Sequence, residues 1–151
     1  MGALRQYGAT PAEDMRELWR RIVFSILISD TDDRLRNHGF LHEGPQGWRL
    51  AQAYDLNPVP ADMKPCSLST SINQDDGTGS LDLALEVADK YFRLDRKEAR
   101  KIVREVAEAT GKWRAAAAAL GLAKTEIDRM ASAFEHKDLE DALADDNEGG
   151  K

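Results

Sequence analysis

The chain has 151 residues, 42% hydrophobic and 32% charged, enough for one compact domain with its own core. Its net charge of −6 is uneven: residues 137–151 hold six acids and two lysines, a net −4, leaving −2 for the remainder, so no basic nucleic-acid footprint covers the whole chain. A lone cysteine, Cys66, excludes an intramolecular disulfide and any zinc-ligand spacing, and no apolar run reaches bilayer-spanning length.

Residues 1–11 lack the charged-then-apolar layout of a signal peptide, so they read as a leader and the expected compartment is the cytoplasm. Thr10-Pro11-Ala12-Glu13 reads as a helix start, with Thr10 as cap, Pro11 in the first turn and Glu13 completing a capping box. Met15, Leu18, Trp19, Ile22, Val23, Ile26 and Leu27 follow helical spacing, which predicts a mostly buried helix ending near Ser29-Asp30. Residues 38–42 and 47–51 are short strand candidates around Glu43-Gly44-Pro45-Gln46, whose Gly and Pro mark a turn. Residues 57–79 form a long irregular stretch punctuated by Pro58, Pro60, Pro65, Gly77 and Gly79.

Beyond it the chain turns helical. Ser80 or Asp82 opens a helix carrying Leu81, Ala84, Leu85, Ala88 and Phe92. Asp95 with Glu98 caps another, which stops at Gly111. An alanine-rich helix ends at Gly121, and residues 125–135 repeat the pattern. From 137 the apolar pattern fades, which predicts an acidic, disordered tail over 137–151. Trp19, Trp48 and Trp113 read as core anchors. Arg93, Lys97, Arg100, Lys101 and Arg104 read as one helical stripe, either a solvated face paired with Glu98, Glu105 and Glu108 or a docking patch for an acidic partner or DNA phosphates. His38, His42 and His136 are not expected to share a metal, and the expected fold is mainly α with one small β-hairpin.

Between the first helix and the hairpin lies Ser29-Asp30-Thr31-Asp32-Asp33-Arg34-Leu35-Arg36-Asn37, and past the hairpin lies Ala53-Tyr54-Asp55. Protein kinases use an Asp to accept the attacking hydroxyl's proton, an Asn five positions on to hold a metal, and a later Asp to hold Mg²⁺ against the phosphates. Asp32, Asn37 and Asp55 supply those residue types in that order. The bland alternative is that the acids only cap and solvate a turn. A hairpin between Asn37 and Asp55 would fold the two candidate ligands back together.

The stretches from Leu27 to Leu41 and from Trp48 to Pro60, continuing through Leu68-Ser69-Thr70 to Met130-Ala131-Ser132-Ala133-Phe134-Glu135, resemble the C-terminal lobe of HipA-type serine/threonine kinases, the toxins of bacterial toxin–antitoxin pairs. The resemblance implies a kinase C-lobe-like helical domain over 12–136. It makes Asp32 the catalytic Asp, with Asn37 and Asp55 as metal ligands. It further implies ATP and Mg²⁺ as cofactors, a protein substrate, and an N-terminal kinase lobe and a HipB-like antitoxin as partners. Asp30 stands where the family usually has Asn, Arg34 where it usually has His, and Gln52 where a Pro is common. Asp30 adds an anion that Arg34 could partly neutralise.

Only 31 residues precede Asp32, and they include neither a glycine-rich phosphate loop nor a lysine-bearing strand. The expectation is that the chain alone is inactive and that the missing lobe leaves an apolar interface exposed. The competing function is a non-catalytic interaction domain that binds an antitoxin, a kinase half or, less expectedly, DNA.

Overall fold

A computed structural model describes residues 2–32, 37–60 and 80–144. Their order is α1 (Gly2–Tyr7), α2 (Pro11–Leu27), β1 (Phe40–His42), β2 (Trp48–Leu50), α3 (Leu81–Val87), α4 (Arg96–Thr110), α5 (Trp113–Ala119), α6 (Lys124–Arg129), α7 (Ala131–Phe134) and α8 (Lys137–Ala144). A single turn of 3₁₀-helix, Gly44–Gln46, joins the strands, and a π-helical segment, Ala88–Phe92, extends α3. The expected fold class holds: the described residues are mainly helical and carry one antiparallel hairpin, paired Phe40 with Leu50, Leu41 with Arg49 and His42 with Trp48.

The central element is α2. Pro11 in its first turn and the acids Glu13 and Asp14 at its positive end favour the start. Thr10 makes no side-chain cap, and Glu13 pairs with Arg49 at 3.4 Å rather than closing a capping box. Trp19, fully buried, stacks obliquely on Phe92 with centroids 5.3 Å apart, a packing worth about 3–5 kcal/mol against truncation to alanine.

Helix α4 buries Ala99, Ile102, Val103, Val106, Ala107 and Thr110, a helical stripe that packs on α2 and α8. Asp95 caps it, accepting from the Glu98 amide at 2.7 Å. Glu98 pairs with Arg16 and Glu105 with Arg20 at 3.0 Å, so ion pairs lace α2 to α4 along the rim of the core. Arg104 pairs with Glu108 at 2.6 Å, which favours the solvated-face reading of the basic residues. Arg93 is not on that helix: it ends the π-helical segment in the left-handed region at φ 58°.

The tail expectation is corrected for residues 137–144. They form α8, and Leu139 and Ala142 are buried in the main core. Two apolar residues three positions apart sufficed to dock a short acidic helix. Residues 1–11 are likewise more than a leader: α1 buries Leu4 in the core, and Arg5 donates to the Tyr91 carbonyl at 3.0 Å. Trp48, expected as a core anchor, is 44% exposed on the hairpin and packs on His42. Trp113 stacks flat on Phe134 at 4.4 Å in the α5–α7 unit, apart from the main core. No described helix is long and apolar enough to cross a membrane.

Candidate functional site

The site begins with how α2 ends. Ser29 lies in the left-handed region at φ 53°; its amide donates to the Ile26 carbonyl at 3.1 Å, and the Asp30 amide donates to the Ser25 carbonyl at 2.8 Å. Together these are the two hydrogen bonds of a Schellman cap, here with serine where glycine is usual. The cap turns the chain sharply and fixes the direction in which Asp30, Thr31 and Asp32 leave the helix. A second contact secures its root from outside: His136 Nε2 lies 3.1 Å from the Leu27 carbonyl oxygen, and Asp138 accepts from the Leu81 amide at 3.0 Å.

Asp30 is fully buried. One carboxylate oxygen accepts from the Asp32 amide and the other from the Asn57 amide, each at 3.3 Å. The residue that looked like an added anion beside the site is therefore a clamp joining the Asp32 loop to the segment just past Asp55. Arg34, its suggested neutralising partner, lies outside the described residues, as do Cys66 and the Leu68-Ser69-Thr70 motif.

Asp32 is partly buried and Asn37 is buried. The hairpin carries the chain from Asn37 to Asp55 and closes with the Ala51 amide donating to the Gly39 carbonyl at 2.9 Å. The Tyr54 ring lies over Gly39, where an added Cβ would sit 3.3 Å from the tyrosine hydroxyl. Gly39 thus lies against Ala51 and Tyr54, between the two candidate ligands in the chain. Gln52 is exposed. Asp55 is exposed, has φ 57°, and accepts from Asn57 Nδ2 at 2.9 Å. Asparagine and aspartate tolerate the left-handed region better than most residues, so the turn at Asp55 is achievable without glycine.

One face of α2 positions the hairpin. Asp14, Leu18, Arg21 and Ser25 follow 4-3-4 spacing and are all buried. Asp14 accepts from Arg49 of β2 at 3.1 Å, and this hydrogen bond pushes the Arg49 guanidinium above its ordinary range. Arg21 donates from Nη2 to the Ala51 carbonyl at 2.6 Å and pairs through Nε with Glu17 at 3.0 Å. Neither Asp30's bridging role nor Arg21 was anticipated from the sequence. The available signal was a charged residue at a position whose helical neighbours are core.

Asn37 offers a neutral carbonyl oxygen and Asp55 an accessible anionic one, both hard donors of the kind Mg²⁺ takes. The described residues contain no group of three or more His, Cys, Asp or Glu side chains able to hold a metal by themselves. In phosphoryl-transfer sites Mg²⁺ is generally held through one or two carboxylates plus substrate phosphates and water. Of the histidines, His42 packs against Trp48, His136 meets the end of α2, and His38 is half-buried beside Asn37.

The hairpin leaves an apolar surface. Tyr7, Phe40, Leu41 and Trp48 are exposed, and among the described residues Leu4, Tyr7, Phe40 and Trp48 line an apolar hollow.

Neither the comparison with curated proteins nor that with solved structures gives a match. The family model of the HipA-like C-terminal domain matches residues 1–114, which takes in α1 to α4, the loop and the hairpin. With three quarters of its length matched, and a mainly helical fold bearing one hairpin, the chain belongs to the family of HipA-like C-terminal domains.

Proposed function

We propose that this domain supplies the proton acceptor and the metal ligands of a phosphoryl-transfer site acting on a serine or threonine hydroxyl of a protein, with ATP as donor. The observation that carries the reading is the Asp30 clamp, which ties the Asp32 loop to the Asp55 segment through one carboxylate. In this reading Asp32 orients the incoming hydroxyl and accepts its proton as the oxygen bonds to the γ-phosphorus. The bond from that phosphorus to the bridging oxygen breaks, and ADP leaves. Asn37 and Asp55 would hold Mg²⁺, which would supply charge to neutralise the phosphate oxygens.

The described residues contain neither a glycine-rich phosphate loop nor a lysine-bearing strand of the kind that grips ATP in kinases. That part of the pocket is assigned here to an N-terminal kinase lobe, whether it belongs to the same polypeptide or to a partner. The exposed apolar side chains of Tyr7, Phe40, Leu41 and Trp48 favour an accompanying role in protein contact, with that lobe or a HipB-like antitoxin as the family-implied partners.

The test is transfer of labelled phosphate from ATP by the domain joined to a nucleotide-gripping lobe of the same family. Activity is expected, and Asp32→Ala should lower turnover by about 10²–10⁴-fold, the usual worth of a positioned general base. Asp55→Ala should raise the Mg²⁺ requirement. A folded, complemented complex without activity, or full activity in Asp32→Ala, would leave the interaction-domain reading in its place.

A further inference from the structure

Residues 51–57 form a short bridge with both ends held and an exposed middle. The far end is the Asn57 amide on Asp30, at 3.3 Å. The near end is the Ala51 peptide, gripped on both sides: its amide donates to Gly39 at 2.9 Å, and its carbonyl accepts from Arg21 Nη2 at 2.6 Å. Gln52, Ala53, Tyr54 and Asp55 between them are exposed. The Asp55 carboxylate accepts from Asn57 Nδ2 at 2.9 Å, so its direction is tied to the far anchor, and the near anchor at Ala51 sets where the bridge starts.

Arg21 is an expensive choice for such an anchor. Its side chain is only 8% exposed, and Nη1 is buried without a hydrogen-bond partner. Removing a guanidinium from water is costly, and a lost hydrogen bond at one nitrogen adds to that. A simple i,i+4 pair with Glu17, itself 44% exposed, would leave the arginine head at the surface. Instead the head is drawn inward to a backbone carbonyl 30 residues away in sequence. Aspartates and hydroxyls on the same face do not do this: Asp14 reaches only the side chain of Arg49, and the Ser25 hydroxyl makes no hydrogen bond.

We infer that Arg21 is a positioning residue for Asp55, holding the start of the bridge so that the aspartate is presented to the metal. It does so through the Ala51 carbonyl, without touching the metal itself. This rests on the reading of Asp55 as a metal ligand.

Mn²⁺ with ATP serves as the probe for the Mg²⁺ site, added to the chain joined to the nucleotide-gripping lobe. Binding is followed by electron paramagnetic resonance of the free ion and by paramagnetic broadening of the amide signals of residues 53–57. Arg21→Met keeps the bulk of the side chain and removes its donors. It is expected to weaken Mn²⁺ binding by about 10–100-fold, the usual effect of losing a group that orients a ligand. Arg21→Lys, which keeps a charged N–H donor group without the fork of the guanidinium, should restore part of the loss. Glu17→Gln, a change at an exposed position, should give a smaller loss in the same direction. Asp55→Ala separates the two layers of the argument. Unchanged Mn²⁺ binding in that variant, or no Mn²⁺ binding by the wild type, overturns the metal-ligand reading itself. Loss in Asp55→Ala with wild-type binding in Arg21→Met overturns only the role given to Arg21. Should Arg21→Met fail to fold, Arg21→Lys and Glu17→Gln decide: wild-type affinity in both rejects the inference.

Discussion

Replacing Asp30 separates the clamp from the rest of the site. Its two oxygens each accept one backbone amide, from Asp32 and from Asn57, at 3.3 Å. Hydrogen bonds to a charged acceptor contribute about 1.5–3 kcal/mol each, and at this length the lower figure applies. Asparagine keeps one accepting oxygen and turns an NH₂ toward the other amide, so Asp30→Asn is expected to lose one bond, about 1.5 kcal/mol. Asp30→Ala loses both, about 3 kcal/mol. At about 2–4 °C per kcal/mol for a domain of this size, the melting temperature should fall by roughly 3–6 °C and 6–12 °C. Thermal unfolding by circular dichroism gives those shifts. Amide hydrogen exchange then locates them: in Asp30→Ala, protection should drop at Asp32 and Asn57 before it drops in α4. The family pattern usually has asparagine here, so Asp30→Asn should keep the course of the loop while loosening one of its two anchors. A melting point for Asp30→Ala within a degree of wild type, with both amides still protected, would refute the clamp.

Two other perturbations bear on neighbouring features. Ser29→Gly should stabilise the chain by about 0.5–1 kcal/mol, because glycine adopts φ 53° freely while paying more backbone entropy; a lowered midpoint in urea would contradict the Schellman geometry. Arg114 donates to Glu135 and holds its carboxyl below the usual range. That contribution is fully present above the ordinary carboxylate pKa of about 4.3 and is lost as pH falls through the lower folded value. The Trp113 indole signal, reporting its stack on Phe134, should therefore broaden on acidification, and Glu135→Gln should remove that step.

Much of the architecture was legible because it follows from periodicity. The run from Met15 to Leu27 alternates apolar and polar residues at helical spacing, and that pattern alone makes α2. The hairpin was readable from Gly44-Pro45 between two short strand-like runs. What escaped depended on partners far along the chain. Trp48 resembles Trp19 as a residue type, but it opens a three-residue strand and packs on His42, outside the main core. Arg93 fits a helical stripe by counting, yet a π-helical segment breaks the count just before it. Within the site, Asp32, Asn37 and Asp55 could be picked out because their types and order are chemical. Asp30 and Arg21 act on backbone atoms 27 and 30 residues away, and no local pattern encodes such a pairing.

The family match ends at residue 114, whereas the contact of His136 with the Leu27 carbonyl lies well beyond it. Any domain boundary drawn at the end of the matched span would cut away His136, Asp138, Leu139 and Ala142 together. It would leave the end of α2 without its side-chain partner, the Leu81 amide without an acceptor, and the face of α4 that α8 covers open to water. The recognisable sequence of the domain and its physical unit are therefore of different lengths. A shortened piece would retain every residue assigned to chemistry and yet lose the brace that holds the root of the loop they sit on.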